Sequence, residues 1–270
     1  MFSWNYIRDS LRRHIILIMV ASVLIGLLQY LIISILISLD FINLVANFVR
    51  QLPAPIQQFL GEEFFARFSL QGAMAFGYNH PFVLVLIGFI AIMLPAKHIA
   101  GQIENGSMEL LIALPLERSK VIISLIVVCL SALALAVLGG WCGTLLGMMV
   151  FPGSRLVPFG IFIQIGLNLW LLMVCVSSYT LMISSLCNEG GRTATIAAVL
   201  TLLFYFINYI AGINENLRFL ISLNIFGYYE PMKIISGGAH FTRDILILST
   251  LSLLFFSAAI WHFRRRDIPG

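Results

Sequence analysis

Apolar residues run along this chain in long blocks separated by short polar stretches, and block length is the first property that converts to structure. A hydrocarbon layer of about 30 Å takes roughly 20 helical residues to cross. Six blocks are long enough: 15–38, 82–99, 121–151, 159–186, 193–211 and 245–263. The second is the shortest and carries Pro95 near one end, where a ring without an amide hydrogen kinks a helix or marks its exit from lipid. The pattern predicts an all-α membrane protein with a single six-span domain over residues 1–270.

The stretches between the blocks have patterns of their own. Ahead of the first span, Trp4, Ile7, Leu11 and Ile15 recur at helical spacing, with Asn5, Arg8, Asp9, Arg12 and Arg13 on the other side. Residues 1–14 therefore suit a helix lying in the interface, although any short basic leader before a span has this look. After the first span, residues 41–52 and 56–70 repeat the amphipathic theme around Pro53 and Pro55. The segment 39–80 is thus expected outside the bilayer, as lids or as inert interfacial helices. Residues 212–243, with Tyr228, Tyr229, Glu230, Pro231, Gly237 and Gly238, are too many for a tight turn and too apolar for free solvation, which suits a half-buried hairpin.

One polar interruption differs from the rest: residues 97–120, reading KHIAGQIENGSMELLIALPLERSK. Ser107, or Asn105 with Gly106, offers N-cap chemistry, and a compact helical run over 108–114 stops at Pro115. Met108, Leu111 and Ile112 share a face by their spacing, while Glu104, Glu109 and Glu117 place acid near the ends. Two turns of helix do not persist alone in water. Lipid, the protein's own spans or a grooved partner must receive the apolar face.

Composition confirms the solvent: 60% of residues are hydrophobic and 10% charged, with a mean hydropathy of +0.99, where soluble domains carry about a quarter charged. With both termini on one side, Arg8, Arg12, Arg13, Lys97, Arg118, Lys120, Arg192, Arg264, Arg265 and Arg266 share that side, against six basic residues opposite. The acids divide evenly, so the net charge of +4 lies on the first face, which is predicted to be cytoplasmic. The first apolar run is too long for a cleaved signal peptide. Basic residues so placed argue against nucleic-acid binding. Cys129, Cys142, Cys175 and Cys187 form no CxxC pair and read as packing residues, not metal ligands. The five histidines fall at span ends, away from any protease constellation, and the sequon Asn105-Gly106-Ser107 is read as chance. A G-x-x-x-x-G-K-[ST] loop is lacking, so any nucleotide chemistry belongs to another polypeptide.

Within the spans, Gly139, Gly143 and Gly147 repeat every four residues, which lets another helix come close, as tight packing within one subunit or as a sliding or dimer contact. Gln164, Asn168, Cys175, Ser178 and Ser185 lie near one face of the fourth span, and Thr201, Tyr205, Asn208 and Tyr209 are on the fifth. They suit either bonds between helices or a substrate path, for which Gln164, Asn168, Ser178, Thr201, Tyr205 and Asn208 are the candidates. No charge sits deep in a span, which disfavours an ion relay and points toward an amphiphilic or lipid-like cargo.

The run IAGQIENGSMELLIALPLERSKVI resembles the coupling segment of ABC transporter permeases of the type-two export class. The outer LPAPIQQFLG, the closing FRRRDIPG and six spans with both ends inside resemble the same family, although Gln102 to Glu104 is less acidic than its usual pattern. The resemblance implies a dimer, with an identical or paralogous permease, working with two separate cytosolic ATPase subunits that carry ATP and Mg. It implies no cofactor and no catalytic residue on this chain, and a place in a bacterial or archaeal cytoplasmic membrane. The family's coupling helix falls on Glu104, Gly106, Ser107, Met108, Glu109, Leu110, Leu111, Ile112, Leu114 and Pro115, within a cytoplasmic loop at 100–118. Its interfacial helix falls on 2–14 and its outer re-entrant hairpin on 214–240. The rival reading is an ion-coupled secondary transporter or a membrane scaffold without an ATPase.

Overall fold

The computed structural model describes residues 4–40, 43–44, 47–48, 51, 53, 69–108, 118–238 and 240–266. Among them there is helix and turn and no strand. Six stretches are long and apolar enough to cross a membrane. They are built on α1 (Trp4–Ser38), α2 with α3 (Leu70–Asn79 and Pro81–His98), α5 (Arg118–Val150), α6 (Phe159–Leu186), α7 (Gly190–Ile213) and α9 (Phe241–Arg265). Between α3 and α5 lies α4 (Ala100–Glu104), and α8 (Pro231–Ile235) precedes α9.

Helix α1 has no glycine or proline before Gly26, and nothing breaks it. The interfacial leader is therefore the first three turns of one continuous 35-residue helix. At 1.5 Å per residue it is about 50 Å long, well beyond a hydrocarbon layer. Its buried stripe also differs from the expected one: Ile7, Ser10, His14, Ile18, Ala21 and Ile25 face inward, whereas Ile15 is exposed. The stripe is set by neighbouring spans and not by a flat lipid surface.

The expected outer segment 39–80 lies largely outside the described residues, but residues 69–80 are placed. Leu70–Asn79 form α2, capped by the Ser69 hydroxyl accepting from Gly72 N at 3.0 Å. Helix α2 is packed into the bundle and is not a surface lid, with Gly72, Met74, Ala75, Gly77 and Tyr78 buried. Its small residues let it sit close, and the Tyr78 hydroxyl bonds Thr144 on α5 at 2.8 Å. His80 closes α2 and opens α3, its Nδ1 accepting from Phe82 N ahead of a proline with no N–H to satisfy.

Helix α6 is the centre of the bundle, buried at every residue from 172 to 181. Indole donors fasten α5 to it: Trp141 Nε1 to Phe162 O at 2.9 Å and Trp170 Nε1 to Leu130 O at 3.2 Å. The far end of α5 is capped by Arg155, whose guanidinium donates to Met148 O and Met149 O. Helices α1 and α5 meet backbone to backbone. A Cβ on Gly139 would stand 2.1 Å from Ser22 O, one on Gly143 2.0 Å from Gly26 O, and one on Gly147 2.7 Å from Ile33 Cδ1. The glycine stripe is occupied within the chain.

Between α7 and α9, residues 215–223 form a 3-10 helix that buries no residue, while Asn224, Ile225, Phe226, Tyr229 and Pro231 are buried. The first half of this connection is thus exposed and part of the second is buried. It is tied down by Asn168 Nδ2 to Tyr228 O, Asn224 Nδ2 to Phe204 O and the Tyr229 hydroxyl to Tyr78 O. Burial raises the Tyr229 phenol well above its ordinary pKa.

Candidate functional site

The start of α1, the end of α3 with α4, the α6–α7 connection and the end of α9 all lie at one end of the bundle, joined by contacts described below. Helix α3 continues for three residues past Pro95 and stops at Ile99. The break is bridged from another span. The Ser184 hydroxyl on α6 accepts from Ala100 N at 3.1 Å and donates to Pro95 O at 2.9 Å. One hydroxyl thus joins the last turn of α3 to the first residue of α4.

Helix α4 ends as a left-handed cap: Asn105 N bonds Gly101 O, Gly106 N bonds Ile103 O, and Gly106 has φ +68°. Glycine suits this position because a side chain there would be strained. The Ser107 hydroxyl donates back to Gln102 O at 3.3 Å and secures the turn, while Ser107 and Met108 are again helical. Met108 is 1% exposed and belongs to the protein's own core. Of the receivers open to the segment's apolar face, its first member has taken the spans. Glu109, Leu110, Leu111, Ile112, Leu114 and Pro115 lie outside the described residues.

Helix α7 begins at Gly190, three residues before the expected start, and its N-cap Glu189 makes no side-chain cap bond. The acceptor comes from α4: Glu104 Oε2 receives Gly190 N–H at 2.9 Å. A carboxylate suits the positive end of a helix dipole. The backbones also touch, since a Cβ on Gly190 would lie 3.0 Å from Gly101 Cα and 3.4 Å from Ala96 O. Beside this crossing is an open recess of about 260 Å³ lined by Met93, Lys97, Asn105, Gly191 and Ala194.

The α6–α7 connection is held from its other side by α9. Arg266 donates to Ser185 O, Cys187 O at 3.0 Å and Asn188 Oδ1, and His262 Nδ1 bonds Ser185 O at 3.1 Å. His14 on α1 meets His98 on α3 edge to face, with ring centres 5.2 Å apart. Neighbouring Ser184 and Ser185 therefore link α6 to α3, α4 and α9. Ser184, Gly190 and Arg266 were not singled out from the sequence as members of this junction. The signals available were Pro95 just ahead of the loop and the Gly190-Gly191 pair opening a span.

The polar residues proposed for a substrate path do not converge. Gln164 is exposed, Asn168 holds the hairpin, and Ser178 donates to Cys175 O within its own helix. Thr201 bonds Ala197 O and the Tyr179 hydroxyl, and Tyr205 packs edge-on to Phe226. Asn208 Oδ1 is buried with no hydrogen-bond partner among the described residues. Among the described residues, no group of three His, Cys, Asp or Glu is placed to hold a metal ion.

A family model described as ABC-2 family transporter protein matches residues 3–268, nearly the whole chain. No curated protein matches it.

Proposed function

The chain belongs to the ABC-2 transporter family, and we propose that it is the permease subunit of an ATP-driven exporter, coupling hydrolysis on separate ATPase subunits to movement of cargo across the membrane. Two cytosolic ATPases bind two permease copies, or one copy and a paralogue, with both termini of this chain in the cytoplasm. Membership supports the permease role, because such permeases work with ABC ATPase subunits. The sequence lacks a phosphate-binding loop of its own, which requires the nucleotide chemistry to come from outside.

The observation that carries the reading is the anchorage of the α3–α5 connection. Its helical turn is bonded to α6 through Ser184 and to α7 through Glu104. A push on the segment 104–115, where the ATPase docks, is therefore delivered into the bundle and not absorbed by a slack loop. The partner shifts the permease only by contacting its two states differently. The outward apolar faces of α1 and α7, including Ile16, Val20, Val23, Val199, Leu202 and Phe206, suit lipid and a second permease. The hairpin before α9 would stand at the outer mouth.

The test is gentle purification of the tagged chain from its host membrane and native mass spectrometry of what accompanies it. Two permeases with two ATPase subunits, and ATP hydrolysis trapped by vanadate, are expected. A chain isolated without any nucleotide-binding subunit would overturn the proposal and leave a secondary transporter or scaffold. Leu111→Asp gives a local check: it is expected to weaken ATPase association, and wild-type association and vanadate trapping would remove the docking role from this segment.

A further inference from the structure

Chain connectivity alone would route a push on the α3–α5 connection into α3 and α5, which flank it. Packing argues for a different receiver. In their most apolar windows α3, together with α2, is 61% buried and α5 is 56% buried, but α7 is only 11% buried. Helix α7 buries just Thr193, Ala197 and Ala211. Its displacement therefore disturbs the least packing of the three within the subunit, its outward face being left to lipid and the second permease. At its first turn the contact with the loop is both steric and polar. Gly101 and Gly190 touch without intervening side chains, and Glu104 supplies the acceptor that Glu189 does not. The recess between Met93, Lys97 and Ala194 leaves room for the α7 end to approach α3.

We propose that Glu104 is a positioning residue that carries displacement of the loop into α7, the fifth span, by capping its N-terminus across the Gly101–Gly190 crossing. The inference rests on the reading of the loop as the ATPase contact and names the span that the contact drives. The carboxylate acts as a hydrogen-bond acceptor, so a neutral acceptor of the same length preserves much of the link. Removing the side chain breaks it while leaving the glycine crossing in place. The α7 end then loses its coupling but not its position.

Hydrogen exchange by mass spectrometry on the full chain in lipid nanodiscs tests this, with residues 187–195 as the reporter. Glu104→Ala is expected to speed exchange there about fivefold, Glu104→Gln less than about twofold, and Gly191→Ala, which meets nothing within 4 Å, not at all. In the complex with its ATPase, ATP plus vanadate is expected to change exchange at 100–115 and 187–195 together. In Glu104→Ala the change at 100–115 persists and the change at 187–195 falls by half or more. Unaltered exchange at 187–195 in Glu104→Ala, or an undiminished vanadate response there, would overturn the proposal. Should 100–115 itself ignore the ATPase in the wild-type complex, the reading of the loop fails and the proposal falls with it, a result distinct from loss at 187–195 alone.

Discussion

Ser184 lies against Pro95 so that its hydroxyl, 89 residues further along the chain, donates to the proline carbonyl at 2.9 Å and accepts the Ala100 N–H at 3.1 Å. A helix that stops among packed spans leaves buried backbone groups that water cannot reach, and one side chain from a neighbouring span satisfies both edges of this gap. Ser184→Ala removes both bonds. The expected cost is about 1–3 kcal/mol of stability, visible as a lowered Tm in detergent. Ser184→Thr keeps the hydroxyl and should recover a good part of the loss.

The α1–α5 contact leaves no room for a methyl group at its centre. Gly143→Ala would drive a Cβ to 2.0 Å from the Gly26 carbonyl, so the helices must part. A loss of about 1–3 kcal/mol is expected. Gly88→Ala is the control, because nothing lies within 4 Å of its Cβ position. It should be neutral or stabilising by up to about 1 kcal/mol. Thermal unfolding of the pair distinguishes close packing from a general intolerance of substitution.

Arg266 gathers Ser185 O, Cys187 O and Asn188 Oδ1 at the end of α6. Arg266→Ala should destabilise by about 1–2 kcal/mol, the range for a partly exposed charged donor lost from neutral acceptors. Arg266→Lys keeps the charge but not the planar fork, so it should restore less than half. Protease sensitivity of the α6–α7 connection offers a second measure of the same tie.

Tyr229 gives the hairpin a pH signature. Its phenol is buried and donates to Tyr78 O, and burial, with Tyr78 adjacent, raises its pKa in the folded chain. A raised folded pKa means that its share of stability is complete below the unfolded value near pH 10 and is lost as pH rises beyond it. Each pH unit above that value should remove about 1.4 kcal/mol. Tyr229→Phe gives up the hydrogen bond and should flatten the slope. Unfolding midpoints measured from pH 8 to 11 compare the two.

Much of the fold was legible because lipid imposes a simple rule: a spanning segment needs length and apolarity, and both are properties of consecutive residues. The blocks at 121–151 and 159–186 became α5 and α6 nearly end for end. Boundaries failed where one element borrowed its end from another. Helix α7 starts early because Glu104 caps it from a distance, and α2 joined the bundle because Gly72, Ala75 and Gly77 found a close neighbour. Gly139, Gly143 and Gly147 announced a close approach in sequence without saying to what. The polar interruption at 97–120 was conspicuous, but its contacts were not, because Ser184 and Glu104 act on residues more than eighty positions away.

The order and number of spans, the distribution of charge between the two faces, the absence of a phosphate-binding loop and the polar interruption at 97–120 were determined by the sequence alone. Each depends on local composition, and lipid selects for local composition directly. Only the tertiary structure decided that α6 is the centre, that the glycine stripe faces α1, that Met108 belongs to the core, and that α4 is bonded to the fourth and fifth spans. These are choices among partners. Apolar helices in lipid resemble one another in hydrophobicity, so shape and a few hydrogen bonds set their arrangement, and both are properties of pairs of residues distant in the chain.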